Sequence, residues 1–318
     1  MGITRNVIGR TVPAISFVRR MVMLLCVMLM TAATAWAGNP VVNVEVCEGG
    51  EGYIHVKGWA YDPDNQDYSL DVKVYVCRTE GYIYDVDNDI YVFPANKERT
   101  GVSGLQGIPG NHGFEFNIPL DEENYWLRFW VYDRNNINET IVRKEAVNVA
   151  APKTGTVTLT PNTGIVTLGD GATLTGQGGE NTRVAIASNA TVTLDDVAIR
   201  NIPDDDNHMW AGITCLGNAT IVLAEGTNNN VMGGDAGYPG IKVGPIGTTL
   251  TIRGSGSLVV QSNKTFSAGI GSILWNGKQT SRCGNIVIES GNIRARGGVA
   301  PGIGASQNSR CVCITIKG

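Results

Sequence analysis

The chain carries 29 Asp and Glu but only three His, and His55, His112 and His208 fall in three separate segments. A Ser-His-Asp triad or a His-based metal site needs its imidazole beside a nucleophile or a second ligand, and no spacing here offers that. The densest acidic cluster of the second half is Asp204, Asp205 and Asp206, preceded by Pro203 and followed by Asn207 and His208. Hard cations take several oxygens on a bendable loop, so calcium is the cofactor these residues suit; the alternative is a solvated acidic turn with no cofactor at all. Asp195 and Asp196 close a strand-like run and are a further pair of the same kind. Asp85, Asp87 and Asp89 imitate part of a calcium loop but lack the Gly and closing Glu of an EF-hand. A glycosidase needs two carboxylates at a fixed separation, and a lyase needs a base beside cation-neutralised uronates. Linear spacing establishes neither, so no catalytic residue is assigned. The Gly-rich stretches open no helix, which makes them turns and not phosphate cradles.

Aromatic placement carries a second kind of chemistry, because sugars are held by flat rings under the apolar faces of pyranoses. Between Tyr125 and Tyr132, Leu127, Phe129 and Val131 take the core parity of a strand. Trp126, Arg128, Trp130 and Tyr132 then point outward, and the three aromatics are candidate glycan-binding residues. Tyr53, Trp59 and Tyr61 share the outer parity of their own segment. Farther on, Trp210, Tyr238 and Trp275 fall in turns or an insertion near Lys278, Arg282 and Arg310, company that suits an acidic polymer. The competing reading is packing: the strip beneath a loop or against the next domain, the loop aromatics on a core edge.

Short strands must position these side chains. The 318 residues include 41 Gly scattered among short Val, Ile and Thr runs, a pattern that helices avoid and that lacks the three-residue period of collagen. The expected fold class is all-β. A mean hydropathy of -0.02 with a single apolar run excludes a polytopic membrane protein. That run, Met21 to Met30, follows Arg5, Arg10, Arg19 and Arg20 and precedes Ala35-Trp36-Ala37, the pattern of a secretory signal over 1–37 cut after Ala37. An uncleaved anchor is the alternative, against which the run is well short of the ~20 residues that span a bilayer. The mature chain has net charge -8, which argues against nucleic acid as a partner, and its six remaining Cys enter a compartment where disulfides persist.

The segment VNVAAPKTG reads as a linker, so we place one domain at 38–151 and a second at 152–318. The first holds 9 basic and 19 acidic residues, the second 12 and 10, an asymmetry expected of independent units. The first domain reads as seven strands, at 41–47, 53–61, 69–77, 82–92, 113–118, 125–133 and 140–149, hence a small β-sandwich. Val42, Val44 and Val46 face in, as do Leu70, Val72, Val74 and Val76, leaving Cys47 and Cys77 on the outer parity. They are either bridged across one sheet or both reduced.

The second domain repeats. A Gly-Ile pair recurs at Ile213, Ile241, Ile270 and Ile303, spaced 28, 29 and 33 residues apart. Val192/Leu194, Ile221/Leu223, Leu250/Ile252, Ile286/Ile288 and Ile314/Ile316 form a second ladder at 29, 29, 36 and 28, its long interval holding the insertion 272–282. Such self-similarity marks a solenoid, and short strands with Gly/Asn turns fit a parallel β-helix with right-handed crossovers. An irregular β-sandwich is the runner-up. All ten ladder residues are expected to be buried. Cys283 and Cys311 lie three residues before their ladder Ile, so they should stack in consecutive coils within bonding distance. The final unit stops at Gly318 after one ladder strand, and we expect either further coils and a cap in a longer protein, or end-to-end pairing through 311–317.

Two resemblances add to this reading. GWAYDPDNQDYSLDVKVYV, ANKERTGV and GIPGNHGFEFNIP resemble Ig-like modules of exported bacterial proteins over about 70 residues, implying an Ig-like sandwich without a defined chemistry. TVTLDDVAIRN, TIVLAEGTNNNV, PGIKV, TLTIRGSGSLVVQS and SAGIGS resemble a family of bacterial extracellular carbohydrate-binding parallel β-helix proteins over 156–318, some of which recognise pectin-like polymers with calcium. The family's calcium sites put acidic residues beside the Gly-Ile pair, where this chain has Ala211, Pro239, Ala268 and Pro301. The function expected is a secreted or cell-surface, non-enzymatic protein for polysaccharide binding or adhesion, with extracellular polysaccharide as partner. It would meet the membrane only through its signal segment or a missing anchor. The alternatives are a polysaccharide lyase or glycoside hydrolase acting on acidic polysaccharide, and a structural surface stalk.

Overall fold

A computed structural model describes residues 38–78, 89–99, 103–121, 123–200, 202, 210–234, 237–262, 266–273 and 282–317. Asn39–Gly318 forms one compact unit, and among its described residues there is no α-helix. The chain is all-β, antiparallel in its first half and parallel in its second.

The antiparallel half has two sheets. Val41–Gly50, Tyr53–Tyr61 and Gly113–Pro119 pair in that order. Asp89–Pro94, Asp71–Cys77, Asn124–Tyr132 and Glu139–Asn148 form the other sheet. The period-2 pattern drives the assembly: Ile54, Val56, Phe114 and Ile118 from one sheet meet Val72, Val74, Leu127, Phe129 and Val131 from the other in a single apolar core. Burial of such side chains is worth about 1.5–3 kcal/mol each, which is what holds the two sheets face to face.

One strand departs from strict alternation. A register shift between Val44 and Val46 puts a bulge at Glu45, so Cys47 pairs opposite Val56 and packs against the core. One extra residue reverses the face of everything beyond it. Cys47 is thus turned inward, whereas Cys77 lies on the other sheet opposite the outward Trp126, and no bond joins the two.

In the parallel half each full repeat contributes one strand to a six-stranded sheet and two to a strongly curled ten-stranded sheet. One repeat supplies Ile213–Cys215, Ala219–Leu223 and Asn228–Met232; the next supplies Ile241–Lys242, Thr249–Gly254 and Ser257–Gln261. The apolar rungs stack inward into a second core separate from the first. The Gly-Ile ladder follows directly, with Ile213, Ile241, Ile270 and Ile303 partners in consecutive strands. Its glycines have a steric reason. A Cβ on Gly212 would lie 2.5 Å from the Met232 carbonyl oxygen, and one on Gly240 would lie 2.8 Å from that of Gln261, so any side chain would wedge the corner open.

The second ladder holds except at one step. Val192 and Leu194 stack on Ile221 and Leu223, and Leu250 and Ile252 on Ile286 and Ile288, but Ile221 pairs with Ile252, and Leu250 with Ala219. The turn through Pro245, Ile246 and Gly247 is longer than its counterpart through Leu216, Gly217 and Asn218, which moves the next strand along by two residues. A two-residue shift keeps the face, so burial is unaffected. Eight of the ten ladder residues are at most 5% exposed. Ile314 and Ile316 differ at 42% and 65%, because Ile314–Ile316 pairs with Asn285–Ile288 and has no partner on its other edge among the described residues. Cys283 and Cys311 are register partners with Cα atoms 4.4 Å apart, joined by a disulfide.

The halves dock through polar contacts. Thr167 Oγ1 donates to the Gly52 carbonyl, the Ser188 amide donates to Asp121 Oδ1 over 3.0 Å, and Lys153 Nζ stands 3.5 Å from Glu51.

Candidate functional site

Two surfaces gather the aromatic candidates. The first is the outer face of the four-stranded sheet, where alternation along Asn124–Tyr132 buries Tyr125, Leu127, Phe129 and Val131 and leaves Trp126, Arg128, Trp130 and Tyr132 half-buried. Trp130 and Tyr132 stack 5.5 Å apart, 18° from parallel, and Tyr75 from the neighbouring strand lies 5.6 Å from Trp130. Polar groups fix the strip: Trp130 Nε1 donates to Glu139 Oε2 over 2.7 Å, and Lys73 Nζ lies 4.8 Å from the Tyr132 ring centre. Burial lowers the Lys73 ammonium below its ordinary value. Trp59 does not join this exposed set. It is only 8% exposed because the turn Ser103–Leu105 lies over its ring, so close that a Cβ on Gly104 would come 2.2 Å from it.

The second surface is a cleft between the halves, a cavity of about 220 Å³ bordered by Phe93, Lys97, Glu115 and Phe116 from the antiparallel sheets and by Arg183 and Trp210 from the parallel half. Arg183 begins the strand Arg183–Ile186, whose later residues are buried, so the strand holds the Arg at its open end. Its guanidinium lies 4.5 Å from the Trp210 ring centre and 5.9 Å from that of Phe93, and Nη1 donates to the Asn117 carbonyl over 2.8 Å. Trp210 is pinned in turn by its Nε1 donating to the Thr182 carbonyl over 3.0 Å. Burial presses Arg183 down to about 10, a value at which it remains cationic at neutral pH. Burial also lowers Lys97; Glu115 opposes that shift and Arg183 adds to it. Lys97 Nζ donates to the Glu115 carbonyl over 2.8 Å, while the Glu115 carboxylate turns to Lys57 at 3.6 Å and His55 at 3.5 Å. An adjoining smaller pocket, also bordered by Arg183 and Trp210, adds Tyr91, Tyr238 and Lys242.

Among the sequence candidates, Trp126, Trp130 and Tyr132 therefore share the outer face, Trp210 borders the cleft, and Tyr238 borders the adjoining smaller pocket. Arg282 and Arg310 are register partners beside the disulfide, both exposed and away from either surface. Trp275, Lys278 and Asp204, Asp205 and Asp206 lie outside the described residues, and so does the calcium reading placed on them. Among the described residues no three His, Cys, Asp or Glu converge as cation ligands. Beside the corner glycines, Ala211 and Ala268 are buried and carry no side-chain oxygen to offer a cation.

Arg183, Lys97 and Phe93 were not foreseen. A lone Arg opening an otherwise apolar strand, TRVAI, is the signal that could have raised Arg183; Lys97 and Phe93 carry no comparable mark. In comparisons with known proteins, no family model, no curated protein and no solved structure matches the chain.

Proposed function

We propose that this is an exported or cell-surface protein that binds or adheres to extracellular polysaccharide without acting on it chemically, built as an Ig-like β-sandwich followed by a right-handed parallel β-helix. The observation that carries this reading is the stacked pair Trp130 and Tyr132, both half-buried on the outer face of the four-stranded sheet. Two near-parallel aromatic rings on alternate outward positions are the kind of apolar surface that sugar rings pack against, and Lys73 and Glu139 stand beside them as polar groups. Strands supply the rigidity such a platform needs, since neither ring rides on a loop. Three short parallel strands in each repeat support the β-helix reading, and the arginine-led apolar segment at the start supports export.

The test is a glycan array probed with the chain from Gly38 onward, with and without calcium. Binding to at least one polysaccharide class is expected, with Trp130→Ala weakening it about tenfold, the scale of one lost ring contact. Absence of binding to neutral and acidic glycans under both conditions would overturn the reading.

A further inference from the structure

We propose that the cleft between the two halves is a second binding site, taking a carboxylate carried on a sugar-sized ring, with Arg183 as its principal anchor and Lys97 as its second cation. The site is distinct from the outer aromatic strip and does not depend on that strip binding anything.

Among the described residues no ion pair gives Arg183 a carboxylate, and its Nη1 donates to the neutral Asn117 carbonyl. A half-buried guanidinium set against two aromatic faces is better satisfied when an anion completes the arrangement. Glu115, the carboxylate bordering the same cavity, is already engaged by Lys57 and His55. Lys97 brings a second positive charge to the border of the same cavity, where Arg183 adds to the lowering of the Lys97 ammonium that burial begins. Like charges converge in this way where an anion binds between them.

Geometry selects the kind of anion. Arg183 borders the cavity with its guanidinium over the Trp210 ring and near Phe93, and a guanidinium presents its N–H donors as a planar fork. A planar carboxylate matches that fork with two parallel hydrogen bonds. At about 220 Å³, against roughly 30 Å³ per water, the cavity has room for about seven waters, more than a bare carboxylate fills. The stacked Phe93 and Phe116 rings, centres 3.6 Å apart, give the rest of the ligand an apolar wall. A carboxylate on a six-membered sugar ring uses both the fork and the wall; free acetate uses only the fork.

The experiment follows the Arg183 side-chain Nε–Hε signal by nuclear magnetic resonance while glucuronate, glucose, acetate and sulfate are titrated separately into the chain from Gly38 onward. Glucuronate should shift the signal saturably, acetate should do so at least threefold more weakly, and glucose should not shift it. Calorimetry on variants tests the anchors: Arg183→Lys keeps the charge but loses the fork and should bind glucuronate at least tenfold more weakly, and Lys97→Gln, at an exposed position, at least threefold. The proposal is overturned if glucuronate gives no saturable shift, if glucose or sulfate matches it, or if neither variant weakens binding. Because the signal reports the cleft alone, a chain that binds glucuronate there while ignoring every array glycan would sink the polysaccharide reading and leave this site standing.

Discussion

Cys215 shows how completely a neighbourhood controls one side chain. It is 1% exposed in the parallel core, and burial pushes its thiol up from 9.0 to about 12, with Lys242 opposing. Cys47 is carried up to about 11, again chiefly by burial, because the Glu45 bulge turned it inward. The thiolate is the reactive form, so both should resist alkylation near pH 9, where an ordinary thiol is half ionised. Mass spectrometry of the native chain after brief iodoacetamide treatment checks this; modification of Cys215 as fast as in denaturant would contradict its burial. The linkage sign follows: with folded values raised above unfolded ones, these thiols favour the native state below about pH 9 and lose that contribution as pH climbs through the folded values. Arg183 runs the other way. Its folded value is lowered, so its burial opposes folding while the group is charged, and the penalty is relieved above about pH 10.

Strands and their stacking decide what the parallel half tolerates. Ile286 is fully buried between Leu250 and Ile314 in register. Ile286→Asp places an unpaired carboxylate in that column and should cost at least about 3 kcal/mol, read from a denaturant melt; a variant melting like its parent would refute the inward assignment. The disulfide adds a covalent tie across the same two repeats, closing a separation of 28 residues. On the loop-entropy model Cys283→Ser should cost roughly 3 to 4 kcal/mol, and the variant should then be indifferent to reductant while the parent is not. The corner glycines belong to this scale as well, because it is the neighbouring strand's carbonyl that forbids a side chain at Gly212 and Gly240.

Across the whole molecule, two separate cores are coupled by a small polar junction. Gly52 sits at its centre with φ at +73°, and a Cβ there would meet the Thr167 Cβ at 2.5 Å. Gly52→Ala should therefore cost roughly 1 to 3 kcal/mol, from backbone strain together with the clash. Measured against a Thr167→Gly single variant, which already lacks the Thr167 Oγ1 to Gly52 hydrogen bond, Gly52→Ala should cost less by the clash component; an equal cost, or none, would show that contact and conformation had been apportioned wrongly. The same junction creates the cleft, since Lys97 and Phe93 come from one half and Arg183 and Trp210 from the other.

The all-β class, the repeat and both ladders were legible in the residues themselves. Each depends on information contained within a repeat: a Gly at a corner that admits no side chain, an Ile on the rung beyond it, and an inward parity every second residue. The pairing of Cys283 with Cys311 was legible for the same reason, being one repeat seen twice. The outward parity of Trp126, Trp130 and Tyr132 was also local, a matter of alternation along one strand. Tertiary structure alone decided the rest. The two-residue step between Ile221 and Ile252 depends on how much chain a turn consumes, the inward rotation of Cys47 on a single bulged residue, and the burial of Trp59 on a turn packed over it from elsewhere in the chain. The meeting of Arg183 with Lys97 is the extreme case. Neither residue belongs to a pattern, and the docking of one non-repeating surface on another follows from the shape and polar fit of finished folds, which periodicity along a sequence does not encode.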